Sequence, residues 1–351
     1  MKDSTSTNIG RLSRRDFLKV ASGLGLSVAG MTLLEACGVQ PPASILDDAP
    51  LETATIRLIA TPSVCLSPQY LVEDSLKSEG FTDVQYFKTE TFAIEKALSS
   101  GDADISMSLV PATVVRMDAG DPLVILAGVH IGCFLLFGSA QIKIIDDLKG
   151  KTIPVPVLGA STHVFLASMV AWAGLDPNTD INWVLHPIPE STQLFKEGKV
   201  DAYLAFPPAA QELRAEKFGH VVLDSMMDKP WSQYFCCSVT ANRDFAQKNP
   251  VATKRVLRAI LQASDICARE PEWAAKFIID KGYTNAKYEY VLEAIQNIPY
   301  NRWQEYDPED TVIFYANRLR DAKLIKSNAN EIVAKNTDWT FLNELKAELK
   351  G

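Results

Sequence analysis

At 351 residues and 47% hydrophobic side chains, the chain is long enough to bury a large core and to divide into two lobes. Its formal net charge of −8, with no basic run after Lys19, argues against nucleic acid, which is bound through clustered Lys and Arg. Beyond the N-terminus no segment is long and apolar enough to span a membrane.

The first element is an export signal. Arg14 and Arg15 precede an apolar run, Val20 to Leu34, that is shorter than the ~20 residues a membrane-spanning helix needs. A basic region, a short apolar run and small residues are the layout of a cleaved leader. The alternative is an uncleaved amphipathic N-terminus. The stretch Ser13 to Lys19 resembles the twin-arginine motif of folded-protein export. Leu34-Glu35-Ala36-Cys37 resembles a lipoprotein box, with lipidation expected at Cys37. Residues 1–36 sum to +2, so residues 37–351 carry −10. Residues 37–54, with their prolines and acids, read as a tether.

Next comes an internal repeat. "ALSSGDADISMSLVPA" (Ala97–Ala112) matches "LFKEGKVDAYLAFPPA" (Leu194–Ala209) at an offset of 97. The offset pairs Gly101 with Gly198, Asp104 with Asp201 and Pro111 with Pro208. It also relates Thr55-Ile56 to Thr152-Ile153, and the "TD" pairs at Thr82 and Thr179. Each copy reads as alternating strands and helices, with Gly80, Gly101, Gly174 and Gly198 ending helices. The runs Ile105–Val110 and Ala202–Phe206 suit buried strands. Two α/β lobes are therefore expected, with residues 55–137 plus 240–351 in the first and 138–239 in the second. "GCFLLFGSA" and "YFCCSVTA" would cross between them. Helices are expected over 251–269, 272–281, 288–297 and 308–322, the last packed on the first lobe.

Open α/β sheets bind ligands beyond the carboxyl ends of their strands. That rule nominates four loops: 61–66 (Thr61, Ser63, Cys65), 108–111 (Ser108, Val110), 159–163 (Ser161, Thr162, His163) and 206–208 (Phe206, Pro207). The third loop leads into a helix, whose N-terminal N–H groups hold anions. Ordinary N-capping by Ser161 or Thr162 is an equal alternative. Phe206, Tyr234 and Phe235 supply aromatic walls or core packing.

Cys65, Cys133, Cys236 and Cys237 fall in or beside these loops, with His130 near them. Without CxxC, CxxCH or HExxH spacing, buried free thiols are expected rather than a metal centre, and no cofactor is assigned. No nucleophile elbow, phosphate-binding or dinucleotide motif is present, so no catalytic residue is named.

The runs Asp147–Pro177, Glu197–Pro208 and Asn242–Ala263 resemble the nitrate, sulfonate and taurine family of ABC-transporter substrate-binding proteins, which has pyrimidine-binding relatives of the thiamine pathway. The resemblance implies the α/β, two-lobed periplasmic-binding-protein fold (type 2) with its ligand in the cleft. It implies a monomer that carries a small anionic or heteroaromatic solute to a permease and its ATPase, held by lipid outside the cell membrane. The alternatives are an enzyme on the same fold, acting on a pyrimidine- or menaquinone-pathway intermediate, and a solute-sensing lipoprotein.

Overall fold

Ten strands and fourteen α-helices are assigned within residues 49–349, the part of the chain that the computed structural model describes. The expected leader, lipidation site and most of the tether lie outside the described residues.

The strands fall into two groups. β1 (Thr55–Ala60) pairs in parallel with β2 (Asp83–Lys88), while β10 (Phe235–Asn242) lies antiparallel between β3 (Ile105–Leu109) and β4 (Leu123–Ile131). In the second group, β6 (Thr152–Val155) pairs in parallel with β7 (Asn182–Leu185), and β5 (Leu135–Gly138) lies antiparallel between β8 (Ala202–Ala205) and β9 (His220–Asp224). Among the described residues, no strand pairing joins the two groups.

The repeat explains the likeness of the groups. The Arg57 N–H donates to Asp104 Oδ2 (2.8 Å) and the Asp104 N–H to the Arg57 oxygen (2.8 Å), docking β1 beside β3. In the second group, the Thr152 N–H donates to Asp201 Oδ2 (2.8 Å) and the Asp201 N–H to the Thr152 oxygen (2.9 Å), docking β6 beside β8. One part of the repeat slips. Arg57 pairs with Gln85 and Asp104, and Thr152 with Asn182 and Asp201, so the first strands are offset by 95 while their partners keep 97.

Pairing also moves the crossings. Leu135–Phe137, expected in the first lobe, pair with β8 and β9, while Phe235–Val239, expected in the second, pair with β3 and β4. The chain thus passes between groups at Gly132–Phe134 and again between β9 and β10.

The helices are α1 (Ser67–Tyr70), α2 (Glu73–Ser78), α3 (Ile94–Ser100), α4 (Val110–Asp118), α5 (Ser161–Trp172), α6 (Ile188–Lys196) and α7 (Ala209–Ala215). Then follow α8 (Arg243–Lys248), α9 (Pro250–Arg269), α10 (Pro271–Asp280), α11 (Tyr288–Asn297), α12 (Pro308–Asp321), α13 (Ala329–Asn336) and α14 (Thr340–Glu348). Proline opens α9, α10 and α12, where its missing N–H costs no helical bond. Gly101 and Gly198 have positive φ just past α3 and α6, a conformation that costs glycine least. Expected on the first lobe, α12 packs against α4 and also against α5. Its Phe314 stacks on Tyr234 at 3.9 Å between centroids, and Tyr315 meets Phe165 of α5.

Candidate functional site

The carboxyl ends of both parallel pairs open on one cavity of about 40 Å³. All four nominated loops reach it, through Ser63, Cys65 and Leu66, through Leu109, through Ser161 and Thr162, and through Phe206. Thr91, Phe92, Cys133, Phe134, Pro156, Ile188 and Cys237 complete the wall. Phe92 follows β2 and Ile188 follows β7. The strand-end rule would have found both had it been applied to the second strand of each parallel pair.

The remaining nominated residues lie outside this lining. Thr61 holds its loop, with its hydroxyl 2.9 Å from that of Thr91 and its carbonyl accepting from the Tyr70 hydroxyl at 2.6 Å. Ser108 belongs to a buried hydroxyl network with Thr113 (2.9 Å) and Thr240 (2.7 Å). Val110 is a buried residue at the start of α4, and Pro207 is buried after Phe206. Tyr234 is turned onto Phe314. His163 accepts the Gly159 N–H at Nδ1 (3.1 Å) and meets Trp183 edge-on.

The start of α5 settles the capping alternative. Its N-cap is Ala160, which has no side chain to offer, and Ser161 and Thr162 are the first residues of the helix proper. The first N–H groups of any helix lack intrahelical partners. Thr162 Oγ1 is buried and has no hydrogen-bond partner among the described residues. A buried, unpartnered hydroxyl is unfavourable unless something accepts from it or donates to it. Among the described residues, no Lys, Arg, Asp or Glu lines the cavity.

Beneath the cavity lies His130, wholly buried. Its Nδ1 is 3.2 Å from the Ile131 oxygen and 3.1 Å from the Gly132 oxygen, and its Nε2 is 3.2 Å from the Cys65 oxygen. Carbonyl oxygens only accept, so this setting favours a proton on each ring nitrogen. Burial opposes that charge, but neighbouring Cys237 outweighs it and lifts the pKa to about 9. Hydrogen bonds from Cys133 and Cys236, and then the His130 charge, hold the Cys237 thiol well below its ordinary value despite burial. Another buried group, Glu95, has an unpartnered Oε1, and burial raises its pKa to about 7.

A profile of the NMT1-like family matches residues 73–279, more than half of the chain. The chain belongs to the NMT1-like family. It is 25% identical over 301 residues to the nitrate/nitrite binding protein NrtA of Synechococcus elongatus, covering 73% of this chain and 67% of that one. It is 26% identical over 224 residues to the taurine-binding periplasmic protein of Escherichia coli, covering 58% and 66%. Its fold matches the crystal structure of the periplasmic nitrate-binding protein NrtA from Synechocystis PCC 6803 with a TM-score of 0.72, at 14% identity over 86% of this chain and 90% of that one. This NMT1-like chain therefore has the periplasmic-binding-protein fold, α/β and two-lobed, and its relatives are ABC substrate-binding proteins of the nitrate, sulfonate and taurine group.

Proposed function

We propose that this chain captures a small oxyanion, nitrate or a short sulfonate, outside the cytoplasm and delivers it to the permease of an ABC importer. The observation that carries this reading is Thr162 Oγ1, buried without a partner where α5 begins at the cavity wall. Helix N–H groups and a hydroxyl are donors, and the helix dipole adds positive potential. A site without Lys or Arg suits a weakly hydrated monovalent anion better than a phosphate, whose greater charge is costly to bury unpaired. By volume the cavity holds roughly three water-sized groups, which favours nitrate or a short sulfonate over a pyrimidine. The crossings at residues 132–134 and 225–234 are the boundaries we assign between lobes. The twin-arginine leader would export the chain and lipid at Cys37 would hold a monomer at the outer face of the membrane, and the chain acts as a carrier rather than an enzyme.

Calorimetric titration with nitrate, taurine, short alkanesulfonates and a pyrimidine tests the reading. One of the anions is expected to bind, and Thr162→Val to weaken it about tenfold, the worth of one hydrogen bond to a charged group. The same substitution removes an unsatisfied buried hydroxyl, so the ligand-free protein should melt no lower than wild type. An affinity untouched by Thr162→Val, or a preference for the pyrimidine, would sink the reading.

A further inference from the structure

Four thiols that the sequence suggests are separate and inert converge on the floor of the cavity. Cys133, Cys236 and Cys237 are buried, and their sulfur atoms all lie within 4.8 Å of one another. Cys133 Sγ is 3.2 Å from Cys236 Sγ, and Cys65 lies beside Cys133. All of these cysteines are free thiols.

The backbone departs from regularity to produce this cluster. Adjacent residues of a regular strand point to opposite faces, so Cys236 and Cys237 should be kept apart. A register shift prevents that. Phe235 faces Ile131 and Cys237 faces His130, so Cys236 is the extra residue of a β-bulge. Bulges re-aim side chains, and here the two sulfurs turn toward each other and toward Cys133. Cys133 itself has φ 152° and follows Gly132 at φ 58°. A Cβ on Gly132 would stand 2.1 Å from Met226 Cγ, so this turn requires glycine and delivers Cys133 to the bulge. Strained backbone of this kind gathers at functional sites.

We propose that Cys133, Cys236 and Cys237 form a three-thiolate site for a soft, thiophilic cation of the copper(I) class. Thiolate sulfur is the donor that selects such ions. Three sulfurs around one ion, at ~2.3 Å each, stand ~4 Å apart, within the spacing seen here after a small opening of the Cys133–Cys236 contact. His130 stands outside the three-sulfur group, with its ring nitrogens facing carbonyl oxygens. Cys133 and Cys237 line the cavity, which gives the ion its entry. As each sulfur–metal bond forms, any proton on that sulfur passes to solvent, and no electron is transferred. The site stands independently of the anion reading, since it uses none of the α5 donors.

The test is an anaerobic titration of the reduced full chain with copper(I) against a chromophoric chelator, followed by X-ray absorption of the loaded protein. One ion per chain with three sulfur neighbours is expected. Cys133→Ser and Cys236→Ser should each weaken binding ~100-fold, the upper end of what loss of even an outer-sphere partner costs. Cys267→Ser, buried on α9 outside the cluster, should leave it unchanged. The spectrum of wild-type protein keeps the test independent of whether the variants fold. A shell of nitrogen and oxygen overturns the proposal. So does wild-type affinity in the triple serine variant, or displacement of copper(I) by equimolar zinc. A Cys133–Cys236 disulfide in the isolated protein, with no copper affinity after reduction, overturns it as well.

Discussion

At His163 the loop before α5 sets a titration. The ring accepts the Gly159 N–H at Nδ1, and burial with no acid beside it lowers its pKa to about 4. In the unfolded chain the same imidazole titrates near 6.5. Between these values the unfolded state binds the extra proton, so stability is lost as pH falls from 6.5 toward 4. The loss should reach roughly 2 kcal/mol at pH 4.5. A glutamine in place of His163 can still accept the Gly159 N–H but does not titrate. Urea melts of wild type and His163→Gln should therefore converge or cross between pH 7 and 4.5, and a constant gap would refute a neutral buried ring. His163 shows what sequence position leaves undecided. Its nearness to the end of β6 was legible, but His163 lies in the first turn of α5 rather than in a loop, and whether its side chain faces solute or holds backbone depends on the rotation of that helix. The cysteines pose the same difficulty more strongly. They lie on separate segments, and only a bulge brings the adjacent pair to one side, which no spacing rule records.

Among elements, Asp104 and Asp201 carry the repeat. Each caps the start of its third strand and accepts the backbone N–H of its first strand. Asp104 also accepts from the Arg57 guanidinium, but that arginine is more than a third exposed, so the ion pair adds no more than about 1 kcal/mol. Replacing either aspartate with alanine orphans a strand N–H that was bonded to a charged acceptor. Asp201→Ala should cost about 2 kcal/mol and Asp104→Ala about 3 kcal/mol by urea denaturation. No loss at Asp201 would mean that the matched pair is coincidental. Gly-x-x-Asp followed by an apolar strand was legible because backbone geometry demands each part of it. The slip of β6 against β1 was not. Thr82 donates to the Ala54 oxygen and enters its strand directly, whereas Thr179 donates to the Asp176 oxygen inside a turn closed by Asp180. Two like "TD" pairs thus perform different work, while β7 itself keeps its offset from β2.

For the whole molecule, the decisive contact joins the two crossings. Ser225 follows β9 on the returning chain, and its buried Oγ accepts the N–H groups of Cys133 (3.2 Å) and Phe134 (3.0 Å) on the outgoing chain. It also donates to the Phe134 oxygen at 2.9 Å. One hydroxyl therefore fixes the outgoing crossing where Cys133 and Phe134 line the cavity. If the chain is the carrier proposed above, hinge motion would fall at such crossings; α12 packs on both α4 and α5. Ser225→Ala leaves two buried N–H groups without acceptors, which should cost about 2 kcal/mol of stability. It should also speed amide exchange at Cys133 and Phe134 more than elsewhere and weaken solute binding, because the wall they form is no longer pre-set. Exchange that rises uniformly across the chain would make Ser225 a stability residue only. Selective exchange with weakened binding would place the hinge at this hydroxyl and join lobe motion to the thiol that stands beside it.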